Sequence, residues 1–233
     1  MSEAPDAEKG GSGTPDAEKG GSVSFVIVGH DAPMTPEFSL SDLPGGAGRL
    51  DLLARCVNAG LFLSHGIRKN VRVHLVLSDT FTVSFDGGTV RNLAPDERNV
   101  AARVRGALAA SDGAIGHQPA EPSPGVRLYR MGFEETLESV AGGGRRVSGP
   151  GQGGPPDPTA IQLHEDGTPL PELAVPDAPV FVLSDHHDFS EEEAALLSTV
   201  ADDRVRVGPE RIHADHAIAI AHNYLDTDGY QRY

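Results

Sequence analysis

The chain has 233 residues and a formal net charge of −15, because 34 acidic residues outnumber 19 basic ones. This length is enough to bury the core of one or two domains. No apolar run reaches transmembrane length, the N-terminus has no apolar signal core, and the single Cys56 excludes an intramolecular disulfide or a thiolate metal cluster. We therefore expect a soluble, cytoplasmic protein without a membrane partner, in which Cys56 is a buried core residue.

The acidic composition has two opposed interpretations. Phosphate binding requires a basic surface, so the net charge argues against a nucleic-acid partner. Acidic, lysine-poor surfaces also keep proteins soluble in a very salty cytoplasm, where charge is strongly screened. Lysine occurs here only at positions 9, 19 and 69. We favour salt adaptation and use the charge as weak evidence about partners.

The first structured element is predicted to begin after residue 22. Residues 1–22 hold a near-exact repeat, APDAEKGGS and then TPDAEKGGS, whose Gly, Pro and charge predict a disordered tail. Ser24–Gly29 is a continuous, β-branched apolar run typical of a buried strand. His30 and Asp31 follow at the carboxyl edge of that strand. They are site candidates, with an ordinary polar loop as the alternative.

The segment 49–65 predicts an amphipathic helix, because its apolar residues recur at helical spacing. A second face of this helix would carry Asp51, Arg55, Asn58 and His65. This face combines an acid, a base, an amide and an imidazole and has almost no Lys or Glu, which suggests a functional site. An ordinary solvent-exposed helix face is an equal alternative.

The middle of the chain follows the same patterns. They indicate a strand at Val71–Leu77, a hairpin of Phe81–Phe85 with Thr89–Leu93 across Asp86-Gly87-Gly88, a helix at Ala94–Ala110, a short strand at Val126–Met131 and a short helix at Gly132–Val140. Residues 141–158 are rich in Gly and Pro and predict a flexible linker.

Three short apolar runs near the C-terminus each end in small or polar residues. They are Ala160–Leu163, which leads into a predicted turn at 164–167, Val180–Leu183, and Arg204–Val207. Carboxyl ends of parallel strands share one edge of a sheet, so these ends predict a ligand site there. The last run opens into a helix at about 213–225 that is apolar nearly all round. Such a helix is buried on two sides, and a second subunit is one candidate for the second cover.

The SDHHD segment at 184–188 has the composition of a metal cluster. Adjacent residues in a turn rarely converge on one ion, and no HxxxH pattern lies nearby. We therefore expect no metal site.

Several motifs together resemble one protein family. They are GRLDLLARCVNAGLFLSHGIRKN at 48–70, FDGGTVRNLAPDERNVAARVRGAL at 85–108, QLHEDG at 162–167, VLSDHHDF at 182–189 and VGPERIHADHAIAIAHNYLD at 207–226. In this order they resemble the archaeal tRNA (pseudouridine-54 N1)-methyltransferases of the SPOUT class. The resemblance implies an α/β fold with a mostly parallel sheet flanked by helices, a single domain at 23–233, and a C-terminal trefoil knot at about 160–226.

The resemblance also implies a homodimer with the site at its interface, S-adenosyl-L-methionine as cofactor, and the T-loop of tRNA as partner. It places cofactor contacts at the three strand ends, on Leu163, Ser184, Asp185, Val207, Gly208, Ile212, Ala214 and Ala217. It places the reacting groups on the polar helix and just after it, at Asp51, Arg55, Asn58, His65 and Arg68. Asp51 would be the base or an orienting group, Arg55 and Arg68 would bind RNA or the base, and His65 would be secondary.

The implied chemistry suits these residue types. Pseudouridine is joined to ribose through carbon, so its N1 keeps a hydrogen and can be alkylated by in-line displacement at the sulfonium carbon. The enzyme must position N1 and help to remove its proton. We expect a local groove lined by arginines, drawn from Arg49, Arg55, Arg68, Arg91 and Arg98. The alternatives are a related enzyme acting on rRNA or another tRNA position, and a non-catalytic dimeric module that binds a nucleotide.

Overall fold

The computed structural model describes residues 21–142 and 156–233. The tail predicted at 1–22 lies outside the described residues except for its last two positions. Most of the linker predicted at 141–158 also lies outside them.

Ten strands and six α-helices are present in the described residues. The strands are β1 (Val23–Gly29), β2 (Phe62–Leu63), β3 (Gly66–Ile67), β4 (Val71–Leu77), β5 (Phe81–Asp86), β6 (Ala120–Ser123), β7 (Val126–Tyr129), β8 (Thr159–Pro169), β9 (Pro179–Ser184) and β10 (Asp203–Arg206). The helices are α1 (Leu43–Gly46), α2 (Leu50–Leu61), α3 (Glu97–Ala109), α4 (Phe133–Val140), α5 (Glu191–Val200) and α6 (Ala214–Asp226). None of these helices is long and apolar enough to cross a membrane.

Eight of the strands form one sheet in the order β10-β8-β9-β1-β4-β5-β7-β6. The first five run parallel to their neighbours, and β5, β7 and β6 extend the sheet in antiparallel fashion. Every residue of the central strand β1 is buried, as its continuous apolar sequence predicted. The expected mostly parallel sheet is therefore confirmed.

Helices cover both faces of this sheet. Phe25 and Ile27 of β1 belong to a core that includes α2, α3 and α6. Val26 and Val28 point the other way and pack in a second core with α4 and α5. Successive side chains of a strand alternate between faces, so a strand that is apolar at every position needs helices on both sides.

The predicted helix at 49–65 is too long. It ends at Leu61, because Phe62 is extended with φ −87° and ψ 138°. The chain then folds back as the β2–β3 hairpin, and the N–H of Arg68 donates to the carbonyl of Leu61 at 2.8 Å. His65 therefore lies in an exposed hairpin turn and not on the helical face that carries Asp51.

The hairpin predicted between 81–85 and 89–93 is also wrong. β5 pairs instead with β4 and with β7, and no strand forms at 89–93. The turn from β4 to β5 contains Ser78 and Asp79, both with positive φ, at 44° and 48°. Two consecutive left-handed residues are typical of a tight hairpin turn that usually contains Asn-Gly. The Ser-Asp pair gave no such signal in the sequence.

Two buried histidines make the fold sensitive to acid. His74 is 7% exposed and His222 is 4% exposed, and burial lowers the pKa of each from 6.5 to about 4. Below about pH 6.5 the unfolded chain takes up these protons while the folded chain does not, so stability falls as pH decreases towards about 4. Each histidine should remove about 3 kcal/mol from the free energy of unfolding across this window.

His222→Gln should reduce this acid sensitivity. Nε2 of His222 lies 2.9 Å from the carbonyl of Gly60, and a glutamine amide can still donate a hydrogen bond there without titrating. Urea unfolding of both proteins at a series of pH values, at constant ionic strength, measures the difference. The exposed His65→Gln serves as the control and should retain the wild-type pH dependence. An identical pH slope for His222→Gln and wild type would contradict the assignment.

Candidate functional site

A pocket lies at the carboxyl edge of the sheet, formed by the middle of β8 and by the ends of β9 and β10. All eight residues predicted to contact a cofactor line this pocket: Leu163, Ser184, Asp185, Val207, Gly208, Ile212, Ala214 and Ala217. They come from three chain segments far apart in sequence. The parallel order of the strands brings the three segments together, as the strand-end pattern indicated.

The first of these segments differs from its prediction. β8 does not end in a turn after Leu163 but runs to Pro169. Its ladder with β10 jumps from the pair Gln162–Arg204 to the pair Thr168–Val205. The five residues between therefore bulge from the sheet edge, and this bulge carries Leu163, His164 and Glu165 into the pocket wall.

The pocket is lined by both apolar and charged residues. Leu163, Leu183, Val207 and Ala217 contribute apolar surface. Four carboxylates and two guanidinium groups also line it, on Glu165, Asp185, Asp188, Glu210, Arg206 and Arg211. Arg211 contacts Asp188 and approaches Glu165 to 3.5 Å, so it links the β8 bulge to the loop after β9. Such a pocket suits a flat apolar ring with a positively charged extension.

Asp185 anchors the wall of the pocket. Its side chain is 2% exposed and accepts hydrogen bonds from the backbone N–H of His30 at 2.9 Å, from Nδ1 of His30 at 3.1 Å and from the N–H of His187 at 2.9 Å. The other ring nitrogen of His30 lies 3.0 Å from Glu193 in the first turn of α5. Burial opposes the charged imidazole, but the hydrogen bonds to Glu193 and Asp185 outweigh it and raise the pKa of His30. His30 thus joins β1, β9 and α5.

The polar face of α2 begins with a carboxylate held between two arginines. Asp51 is 4% exposed, so a solvated face does not explain it. Its oxygens lie 3.1 Å from Nε of Arg49 and 3.1 Å from Nη1 of Arg55. Burial raises the pKa of this carboxyl, but the hydrogen bond and charge of Arg49 and the charge of Arg55 outweigh burial and lower it. Asp51 is therefore ionised at neutral pH.

Arg55 connects three helices. Besides Asp51, its guanidinium lies 3.4 Å from Glu97 on α3 and 3.5 Å from Asp215 on α6. Asp215 directly follows Ala214 of the pocket lining, so Arg55 is the link between the polar face of α2 and the pocket.

The remaining three predicted reacting groups occupy different surroundings. Asn58 is half-buried, and its Oδ1 is buried with no hydrogen-bond partner among the described residues. His65 is exposed in the β2–β3 turn. Arg68 forms two hydrogen bonds with Asp226, at 2.9 and 2.6 Å. None of the five predicted reacting groups lines the pocket of its own chain within the described residues.

The expected arginine groove is partly neutralised. Arg49, Arg55 and Arg68 are each paired with a carboxylate. Arg91 donates to the carbonyl of Val90 at 2.9 Å. An anionic ligand would therefore share these guanidinium groups with the partners that they already have.

One convergence of side chains was not predicted from the sequence. Asp31, His186 and His187 bring donor atoms within 4.8 Å of one another. The two histidines are adjacent in the chain, but the third donor comes from a residue 156 positions before His187. Asp31 and the two histidines come together because β1 pairs with β9 in the sheet.

Comparison with known proteins identifies the family. Residues 23–230 match a family described as SAM-dependent RNA methyltransferases. The chain belongs to this family. The family is SAM-dependent, so the cofactor is S-adenosyl-L-methionine (SAM), in agreement with the expectation from the sequence.

Curated relatives are similar in sequence over most of the chain. A protein of Haloferax volcanii is 58% identical over 209 residues, covering 90% of this chain and 98% of its own length. One of Halorubrum lacusprofundi is 60% identical over 211 residues, covering 90% and 99%. Both are named tRNA (pseudouridine(54)-N(1))-methyltransferase.

A solved structure shares the fold. Nep1 of Archaeoglobus fulgidus, bound to S-adenosylhomocysteine, aligns with a TM-score of 0.55 at 12% identity, covering 89% of this chain and 97% of that chain. The similarity confirms the expected SPOUT-type α/β fold.

Asp185→Asn should weaken SAM binding. The amide replaces one acceptor oxygen by a donor. It therefore loses either the bond from the N–H of His30 or both bonds from Nδ1 of His30 and the N–H of His187, which loosens the pocket wall. We expect the affinity to fall about tenfold, the effect of one charge-assisted hydrogen bond. Titration calorimetry measures it, with circular dichroism to verify folding. Asp166→Asn is the control, because Asp166 is 79% exposed and does not line the pocket. Equal affinities for Asp185→Asn and wild type would refute the anchoring role.

Proposed function

We propose that this protein uses SAM to methylate N1 of pseudouridine 54 in the T-loop of tRNA. The observation that carries the proposal is the identity of 58–60% with two curated enzymes of that name, over 90% of the chain. The fold and the pocket are consistent with it.

We infer that the cofactor lies across the β8 bulge and the ends of β9 and β10, against the eight pocket residues that were predicted to contact it. The apolar surface of Leu163, Leu183 and Val207 suits the adenine ring. The sulfonium and ammonium groups of SAM are positively charged, which suits a lining in which four carboxylates outnumber two guanidinium groups. When bound, SAM would supply an electrophilic methyl group. The protein would supply its orientation, and the proton that N1 loses would pass to water. In-line transfer to a nitrogen needs no metal ion.

We infer that Asp51 orients the target and does not act as the base. A carboxylate with a lowered pKa is a weak proton acceptor, and Asp51 is held by Arg49 and Arg55. The same two arginines can present N–H groups to a base carbonyl or a phosphate. Arg68, at the other end of α2, is the second candidate for RNA contact. We propose that Asn58 and His65 make secondary contacts with the RNA.

We propose a homodimer in which each site is shared between two subunits. Two features support this arrangement. The five candidate reacting groups do not line the pocket of their own chain, and Ile212 at the pocket is 37% exposed. A partner related by twofold symmetry would bring its own polar helix to the open side of the pocket. We also propose a single domain at 23–233 with a trefoil knot at about 160–226. This part of the proposal is based on the family resemblance.

Mass spectrometry of tRNA tests the substrate. In a strain lacking this gene, N1-methylpseudouridine should disappear from position 54 and return when the wild-type gene is restored. Restoration with Asp51→Asn should leave position 54 unmethylated while the purified variant still binds SAM. Loss of the modification from rRNA or from another tRNA position would support the related enzymes instead. SAM binding with no lost modification would indicate a non-catalytic module.

Paired variants test the shared site. Asp51→Asn disables the polar helix, and Ala214→Trp fills the pocket. Neither homodimer should methylate tRNA. A heterodimer, co-expressed with two different tags and purified through both, should regain about half of the wild-type rate, because one of its two symmetry-related sites carries no substitution. If each site lay within one subunit, the heterodimer would stay inactive. If light scattering gave the mass of a monomer, the proposed homodimer would be refuted.

A further inference from the structure

A set of metal-ligand side chains lies beside the cofactor pocket. Oδ2 of Asp31 is 2.8 Å from Nε2 of His187 and 3.7 Å from Nε2 of His186. One carboxylate oxygen therefore faces two imidazole nitrogens, and all three donor atoms lie within 4.8 Å of one another. Donors that share a small cation at about 2.0–2.2 Å lie at most about 4.4 Å apart, so small side-chain rotations would bring all three onto one ion.

The fold creates this convergence. β1 and β9 are parallel neighbours, and Val28 pairs with Ser184 near their ends. The chain leaves both strands at the same sheet edge, so residues a few positions later come to lie side by side. Asp31 is three positions after Val28, and the two histidines are two and three positions after Ser184.

The loop that carries Asp31 is held in place. The hydroxyl of Ser78 donates to the carbonyls of His30 at 2.9 Å and Ala32 at 2.7 Å. On the other side, Gly48 packs so closely that a Cβ there would lie 1.6 Å from the carbonyl oxygen of Asp31. The backbone of this loop is therefore positioned before any ion binds, which reduces the entropic cost of binding.

A buried carboxylate contacts both histidines. Nδ1 of His186 lies 3.5 Å from Oδ2 of Asp185, on the side of the ring away from Asp31. Histidines that bind metals commonly place the second ring nitrogen near a carboxylate, which orients the ring and strengthens the ligand. The backbone N–H of His187 donates to Oδ1 of Asp185 at 2.9 Å, which fixes the backbone of that residue.

We propose that Asp31, His186 and His187 bind a divalent transition-metal ion such as Zn²⁺ or Co²⁺. Two imidazoles and one carboxylate favour these ions over Mg²⁺ and Ca²⁺, which prefer oxygen ligands. The three side chains are 60%, 26% and 50% exposed, so solvent can reach the site and water completes the coordination. His187 also lines the SAM pocket, so the ion ties the loop after β1 to the pocket wall. It takes no part in methyl transfer.

Titration of untagged protein with Co²⁺ tests the site directly. Bound Co²⁺ in a site with nitrogen ligands shows visible absorption bands, and these should saturate at one ion per chain and disappear when Zn²⁺ is added. Asp31→Asn and His187→Gln should each lower the affinity at least about tenfold, as loss of a ligand requires. Both positions are exposed, so circular dichroism should show an unchanged fold.

A second histidine pair provides the matched control. His213 and His216 have ring centroids 6.0 Å apart, and His216 lies 3.9 Å from Asp215. His213→Gln should leave the Co²⁺ titration unchanged. The proposal is overturned if no saturable bands appear, if Asp31→Asn and His187→Gln bind as wild type does, or if His213→Gln abolishes binding instead. These readouts do not involve methyl transfer, so they stand whether or not the tRNA assignment holds.

Discussion

The buried carboxylate of Asp185 is the contact on which the candidate site depends. It lies just past β9, yet its hydrogen-bond donors come from His30 after β1 and from His187 in its own loop. A buried carboxylate is tolerated only when its oxygens are satisfied. This requirement holds two loops against each other and sets the position of the pocket wall. The three proposed metal ligands are neighbours of the same group, and their geometry follows from the same constraint.

A second buried carboxylate, Asp51, organises the opposite half of the site. Arg49 and Arg55 neutralise it, and Arg55 reaches on to Glu97 and Asp215, so α2, α3 and α6 are joined through one guanidinium. Removing one partner from a buried pair leaves an uncompensated charge, which is strongly destabilising. The arginines proposed to contact RNA therefore also hold the helices together. In this chain of net charge −15, Arg49 and Arg55 are thus held among carboxylates on three helices.

The pocket at the carboxyl edge of the sheet was predictable because its signals are local. Each strand is a short apolar run that ends in small or polar residues, and the rule that parallel strands share a carboxyl edge brings the ends together. That reasoning, with the family resemblance, named eight residues that do line one pocket. The bulge in β8 was not predictable, because it depends on a close approach between strands. A Cβ at Gly167 would lie 2.5 Å from the backbone carbonyl carbon of Val205 on β10.

The sequence by itself determined the buried central strand, the alternation of strands and helices, the family, and the residues at three strand ends. Hydrophobic periodicity and motif order are properties of the sequence itself, so they can be recognised without coordinates. Tertiary structure alone decided that α2 stops before His65, that Asp51 is buried between arginines, and that Asp31 meets His186 and His187. The contacts of Asp51 and the end of α2 are close in sequence, but burial and backbone geometry decide them. The contact of Asp31 with His187 spans 156 residues and leaves no trace in local sequence.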